Sequence, residues 1–274
     1  MEDIKITIVT ATYNAEKTLE QSILSIVHQD YPNIEYIIVD GGSTDRTINI
    51  LKQYEHYGIK WISEPDYGIY DGLNKGIQLA TGDYLYFLGA DDWLCNNEVM
   101  REVSCFINTH PGFSFYAGNV FLYRSTYRLI KRKRADLSIE EIKKGGMCPH
   151  QGLFSSRRLM LKGFDITYRL AADYELFLRN IVRGESYCVM DVDVAYYSLF
   201  GASADFSLYD EYIAIIKKHA GEGYLDRIYK LKENNTDKYC FRRFIKRILV
   251  ALLSEKFFWR CRGWKNFDGT GSRG

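Results

Sequence analysis

The chain of 274 residues has no G-x-G-x-x-G after its first strand pattern and no G-x-x-x-x-G-K-[ST] anywhere. The usual dinucleotide and P-loop fingerprints are therefore excluded. None of its six cysteines pairs as C-x-x-C, so zinc and redox motifs have no support. No run of about 18 or more apolar residues occurs, and no membrane-spanning helix is expected. Met1-Glu2-Asp3 leads straight into a strand pattern, without a basic region followed by an apolar stretch. That reads as a chain without an export signal, cytoplasmic, with reduced and mostly buried thiols. An excess of one charge is missing as well: 36 Lys+Arg face 35 Asp+Glu, a net of +1, which argues against a nucleic-acid partner. Hydrophobic residues make up 46%, enough to fill a core in one large domain or two small ones and to exclude disorder.

The neutral total hides a division. Residues 1–237 hold 26 basic and 33 acidic side chains, a net of −7, whereas residues 238–274 hold 10 and 2, a net of +8. In the basic part, Phe241, Phe244, Ile245, Ile248, Leu249, Leu252 and Leu253 fall at helical spacing between Arg242, Arg243, Lys246 and Arg247. Phe257, Phe258, Trp259 and Trp264 follow. A basic amphipathic helix over about 239–258 with aromatic anchors suits an anionic membrane surface; a helix docked on the rest of the chain is the alternative. Residues 206–274 are accordingly expected to form a C-terminal helical, membrane-associating region.

The first hundred residues repeat a strand–helix pattern. Strands are expected at Ile4–Val9, Tyr36–Val39, Lys60–Ser63 and Tyr84–Leu88, and helices from Leu19 to Val27, Thr47 to Tyr54 and Ile69 to Leu79. This predicts an α/β, Rossmann-like, mostly parallel sheet with helices on both faces. Such sheets bind ligands beyond the carboxyl ends of their strands. Each strand end here is polar or acidic: Thr10 to Asn14, Asp40, Glu64-Pro65-Asp66 and Asp91-Asp92. One such cluster is ordinary helix capping; four at one sheet edge read as a site. Asp91-Asp92 supply hard oxygens suited to Mg2+ or Mn2+ bridging a diphosphate, or they cap the helix starting near Asn96-Asn97. Asp40 reads equally as a nucleobase acceptor or a turn residue.

Farther on, two strands (Phe113–Tyr116, Val120–Tyr123) precede the basic run Lys131–Arg134, read as a solvated face. A short helix (Ser138–Lys144), a loop carrying His150 and Gln151, a helix from Ala171 to Val182 and a strand from Tyr187 to Ala195 follow. Residues 208–232 read as helical.

Five segments, Thr10-Ala11-Thr12-Tyr13-Asn14, Val39-Asp40-Gly41-Gly42-Ser43-Thr44-Asp45, Glu64-Pro65-Asp66-Tyr67-Gly68-Ile69-Tyr70-Asp71, Asn74-Lys75-Gly76 and Ala90-Asp91-Asp92-Trp93-Leu94, closely resemble the family 2 glycosyltransferases. These are inverting enzymes of GT-A fold. The resemblance covers about residues 4–195, and the E-P-D-x-G-I-Y-D block resembles bacterial members that build surface polysaccharides. It implies a catalytic domain over 1–205, with a nucleotide-sugar half (1–95) and an acceptor half (96–205). It further implies that Thr10, Tyr13 and Asn14 contact the nucleotide, that Asp40 reads the uracil edge, and that Asp66 and Lys75 approach the ribose, diphosphate or sugar. Asp91 matches the last Asp of the D-x-D metal motif, but its first Asp is Gly89 here. A metal would then rest on Asp91, the diphosphate and water, with Asp92 or His150 as helpers. The block Ala172-Asp173-Tyr174-Glu175-Leu176 resembles the one that carries the general base, which makes Asp173 the base and Glu175 the alternative. Arg157 and Arg158 are candidates to pair with the diphosphate, or a solvated pair.

The expected function is hexosyl transfer, with inversion, from a UDP-sugar to a polyprenyl-diphosphate-linked saccharide in O-antigen, capsule or exopolysaccharide assembly. The protein would be peripheral on the inner face of the cell membrane. A sugar nucleotidyltransferase, which normally has a G-G-x-G-T-R-type loop where this chain has Thr-Ala-Thr-Tyr-Asn, and a non-catalytic nucleotide-sugar binder are the rivals.

Overall fold

The computed structural model describes residues 4–199, 207–233, 260 and 263–267. Its first part alternates as expected: β1 (Ile6–Thr12), α1 (Leu19–Val27), β2 (Ile34–Asp40), α2 (Thr47–Tyr54), β3 (Lys60–Ser63), α3 (Ile69–Leu79) and β4 (Tyr84–Phe87). β1 pairs in parallel with β2 and β4, and β2 with β3. Then come β5 (Trp93–Leu94), α4 (Val99–Thr109), β6 (Phe115–Arg124), β7 (Leu129–Lys133), α5 (Ile139–Lys143), β8 (Leu153–Ser156), α6 (Arg157–Met160), α7 (Ala172–Val182), β9 (Tyr187–Ser198), α8 (Ser207–His219) and β10 (Lys265–Asn266). The sheet order is β10-β7-β6-β8-β4-β1-β2-β3, with β9 also pairing β6 and β5 pairing β9. β8 joins β4 and β6 antiparallel, so the parallel half is extended by a mixed half that curls past its edge.

Strands covered on both faces are apolar throughout, and alternation divides them between two cores. Ile6, Ile8 and Ile38 pack with α1, α2 and α4, whereas Val9, Ile37 and Val39 pack with α3 and, farther along, α7 and α8. The helices thus lie on both faces, and the loops after β1, β2, β3 and β4 open at one edge.

Three expectations change. The two strands expected around residues 113–123 are one strand, β6, whose pairing with β9 shifts register between Ala117 and Val120. The helical stretch over 208–232 breaks after His219 at a turn over Glu222–Tyr224 and resumes over 226–233. Trp264 is not a surface anchor: it is 7% exposed, lies under the Arg124 guanidinium at 5.1 Å, and precedes the edge strand β10. The amphipathic helix expected over 239–258 lies outside the described residues. Among the described residues no helix is long and apolar enough to cross a membrane, and Cys95, Cys105, Cys148 and Cys188 are free thiols.

Candidate active site

β1 runs to Thr12, farther than its sequence pattern suggests, and this alters the first loop. Thr10 is fully buried, with its hydroxyl 3.3 Å from the Tyr36 hydroxyl. Its expected nucleotide contact is therefore corrected: the side chain belongs to the core. The loop proper starts at Tyr13, which is 63% exposed. Asn14 adopts φ +48°, a left-handed conformation that Asn tolerates, and joins two loops. Its N–H donates to Ser43 Oγ at 2.7 Å, and its Oδ1 accepts from Thr44 N at 2.9 Å.

Asp40 closes β2 fully buried. Its Oδ2 accepts from Gly42 N (3.0 Å), Ser43 N (2.9 Å) and Ser63 Oγ (2.7 Å), while Oδ1 accepts only the Ser43 hydroxyl, at 2.5 Å. Asp40 thus organises the turn, and among the described residues a rotatable hydroxyl covers its Oδ1. Asp66 lies against that turn, because a Cβ on Gly41 would sit 2.6 Å from Asp66 Oδ2; only glycine leaves room for the carboxylate. Asp66 Oδ1 accepts from Gly68 N at 2.9 Å. Lys75, nearly two turns into α3, donates to Pro65 O (2.8 Å) and pairs with Glu64 (2.9 Å). The Glu64 contact raises its pKa against the opposing effect of burial.

After β4, Gly89 is where a metal-binding carboxylate is missing. A Cβ there would lie 2.6 Å from Asp92 Oδ2 and 3.1 Å from Asp91 Oδ1, so both acidic side chains fold back over the glycine. Asp92 is 2% exposed and engaged: Oδ2 accepts from Gln151 Nε2 (2.9 Å) and Oδ1 from Ser198 N (2.8 Å). Burial and then the adjacent charge of Asp91 push Asp92 up to about 6. Burial likewise raises Asp91. Among the described residues, no three His, Cys, Asp or Glu converge as a metal site. What remains is one hard carboxylate, Asp91, which suits Mg2+ or Mn2+ when a diphosphate supplies further oxygens; the residues fit that arrangement and no protein-only cage.

Asp173, the second residue of α7, faces the same edge from the mixed half. Its Oδ1 accepts from the Tyr70 hydroxyl (3.0 Å) and Tyr174 N (2.8 Å), and its Oδ2 lies 3.4 Å from His150 Nδ1. Burial alone would raise the Asp173 carboxyl; His150, Tyr174 N–H and Tyr70 outweigh it and hold the carboxyl below its ordinary value. Burial would lower His150, but Asp173, Asp92 and Asp91 raise it. The imidazole therefore stands between the expected base and the acidic pair after β4, with Nδ1 turned to Asp173. Behind Asp173 and His150, Leu73, Phe87, Leu153, Met160 and Phe164 line an apolar cavity of about 50 Å³, room for a water or two and not for a sugar.

Two expectations are settled by direction. Glu175 is 1% exposed and bound by His219 Nε2 (2.8 Å) and Arg179 (3.2 Å); it fastens α8 to α7 and is not the alternative base. Arg157 donates to Ala80 O, and Arg158 pairs with Glu185. Both follow β8 where it faces Tyr84, the start of β4, which is the sheet end opposite the site, so their expected diphosphate pairing is corrected. Three partners went unread in the sequence. Tyr70 lies inside a quoted motif without a role, and Gln151 stands beside His150. Glu211 of α8, which accepts from three backbone N–H groups before Asp173, carried no signal.

Comparison with known proteins agrees with this fold. The sequence model of "Glycosyl transferase family 2" matches residues 7–159. The PGL/p-HBAD biosynthesis glycosyltransferase of Mycobacterium bovis (strain BCG / Pasteur 1173P2) is 31% identical over 214 residues, 75% of this chain and 81% of the relative. S. aureus TarS 1-349 in complex with UDP-GlcNAc superposes with a TM-score of 0.65 at 19% identity, over 83% of this chain and 69% of that one. The mannosyltransferase PcManGT from Pyrobaculum calidifontis, in complex with GDP-Man and Mn2+, gives 0.59 at 15% identity, over 94% and 83%. The fold is the GT-A architecture that the motifs imply.

Proposed function

The chain belongs to glycosyl transferase family 2, and we propose that it moves a hexose from a UDP-sugar, with inversion, to a polyprenyl-diphosphate-linked saccharide. Residues 1–95 bind the donor, 96–205 the acceptor, and 206–274 hold the protein to the inner face of the cell membrane in surface-polysaccharide assembly. One observation carries the inverting reading: among the described residues of the acceptor half, the carboxylate of Asp173 stands at the ligand edge, across from the donor-side Asp40, Asp66 and Asp91. The UDP-GlcNAc held by TarS supports a uridine donor. The basic composition of residues 238–274 supports the membrane and the lipid-linked acceptor.

Tyr13 and Asn14 border the nucleotide, and Asp40 Oδ1 meets the nucleobase edge once the Ser43 hydroxyl turns away. Asp66 and Lys75 flank the ribose and diphosphate. The acceptor hydroxyl approaches Asp173 Oδ2 from the open side. Its proton passes to Oδ2 as the oxygen attacks the anomeric carbon, the bond to the diphosphate oxygen breaks, and the nucleoside diphosphate leaves from the opposite face. A divalent cation held by Asp91 and the diphosphate would neutralise charge on the leaving group. Base assistance of this kind contributes roughly 10²–10⁴-fold.

Asp173→Asn is the test. Transfer should fall at least about 100-fold, with UDP binding by calorimetry unchanged; retained turnover would remove Asp173 from the mechanism. For the membrane reading, replacing Arg242, Arg243, Lys246 and Arg247 by Gln should release the protein from anionic vesicles, and unchanged co-sedimentation would refute it.

A further inference from the structure

α7 begins without a cap of its own: the N-cap residue is Ala171, which has no side chain to accept a hydrogen bond. The turn that leads into it is tied down from outside: the N–H groups of Arg169, Leu170 and the N-cap Ala171 go to Glu211, at 2.8, 2.9 and 2.9 Å. A carboxylate at this place satisfies the N-cap N–H with two N–H groups of the preceding turn and complements the helix dipole. The contact is braced on both sides. Tyr212, next to Glu211, stacks on Tyr174 at 4.4 Å and 7°. Lys218 pairs with Asp165, and His219 with Glu175. α8 therefore seats the turn from which Asp173 projects, and it lies beyond the residues 7–159 that match the family model.

From the donor half, Tyr70 reaches the same turn. Its hydroxyl lies 3.0 Å from Asp173 Oδ1 and 3.2 Å from Leu170 O, and its ring packs on Phe164 at 5.3 Å. With Tyr174 N–H, it occupies Oδ1. The carboxylate is thereby fixed about its last torsion, with Oδ2 turned to His150 Nδ1 at 3.4 Å on the side where a substrate would approach.

We propose that Tyr70 and Glu211 are positioning residues for the reaction: Tyr70 sets the orientation of the Asp173 carboxylate, and Glu211 sets the position of the turn that carries it. This rests on reading Asp173 as the base. A carboxylate free to rotate, or displaced by a fraction of an ångström, meets the acceptor hydroxyl in productive geometry less often, and misplacement on that scale lowers turnover without touching donor affinity. Gln at 211 keeps the size but places an NH2 group against at least one of the three backbone N–H groups. Phe at 70 keeps the ring on Phe164 and removes only the hydroxyl.

The experiment compares wild type, Tyr70→Phe, Glu211→Gln and each of these combined with Asp173→Asn. UDP release from UDP-glucose, UDP-galactose and UDP-GlcNAc is followed with a polyprenyl-diphosphate-linked monosaccharide, and UDP binding is measured by calorimetry. Each single variant should lose about tenfold in kcat with UDP affinity and donor KM unchanged. Neither should lower the residual rate of Asp173→Asn further, because both act through that residue. The proposal is overturned if Tyr70→Phe stays within about twofold of wild type, if UDP affinity falls in step with kcat, or if the losses add to that of Asp173→Asn. Full turnover by Asp173→Asn would instead reject the base assignment itself. Should Glu211→Gln fail to fold, Tyr70→Phe decides.

Discussion

β2 starts and finishes with a buried carboxylate, and the two have opposite surroundings. At its beginning, the Glu35 side chain is 3% exposed and receives Lys60 at 2.7 Å, with Lys5 at 3.8 Å. Thr7 Oγ1 (2.6 Å), Thr81 N (2.7 Å) and Thr81 Oγ1 (3.0 Å) complete its shell. At its end, Asp40 accepts from amides and hydroxyls only. The same contrast holds across the sheet: cations neutralise the carboxylate at the closed end, while Asp40, Asp66, Asp91 and Asp173 gather at the open end with Lys75 and His150. An edge left acidic repels a bare diphosphate and favours one that arrives with a divalent cation. A buried acid at one end is neutralised by cations and ties the sheet together; at the other, Asp40 is buried and Asp66, Asp91 and Asp173 are half-buried, without such cations around Asp40.

That contrast can be broken experimentally, first and most strongly at Glu35. Burial would raise its carboxyl, but the bonds from Lys60, Thr7 and Thr81 outweigh it and lower it from 4.5 to about 2. Because the folded value lies below the unfolded one, the stabilisation is complete above about pH 4.5 and is lost as pH falls through about 2. Glu35→Gln should cost on the order of 2–3 kcal/mol at neutral pH. The gap to wild type should narrow steadily below pH 4.5 in urea titrations, with kcat per folded molecule unchanged. A loss of turnover would show that the closed end also serves catalysis.

At the open end, Gly89→Asp writes back the missing first acid of the metal motif. The Cβ would collide with Asp92 Oδ2 and add a third negative charge to a buried pair. We expect a loss of about 1–2 kcal/mol and lower turnover at every Mn2+ concentration; tighter Mn2+ dependence at full stability would mean that the loop can reopen. The smallest effect belongs to Arg158→Ala. Its pair with Glu185 is exposed on the arginine side, so the urea midpoint should stay at the wild-type value. Transfer should stay at the wild-type rate in the same UDP-release assay, and a clear fall would place the site's influence at the wrong end of the sheet.

Much of the donor half was legible because its determinants are local. α2, β3 and α3 fall on the residues their patterns marked, since polar turns and glycines bound each apolar segment. Errors arose where tertiary pairing extends or joins elements. β1 continues to Thr12 by pairing with β2 up to Asp40, which moves Thr10 from loop to core. Phe113–Tyr116 and Val120–Tyr123 read as separate strands, yet β9 pairs on both sides of the gap with a shift of register and keeps β6 continuous. In the acceptor half, Asp173 and His150 were singled out through motif likeness, while the residues that contact them were not: Tyr70 lies 103 residues before Asp173, and Glu211 contacts a turn some 40 residues earlier.

By itself, the sequence determined the alternating strands and helices, the acidic residues at the strand ends and the family to which these belong. Those features depend on spacing within a few residues, which periodicity and turn chemistry express directly. Only the tertiary structure gave Asp173 and Glu175 their different surroundings. Residues two apart on a helix point about 200° away from each other, so both cannot face one site. The side that faces the ligand edge was chosen by the packing of α8, which binds Glu175 through His219 and leaves Asp173 to Tyr70 and His150.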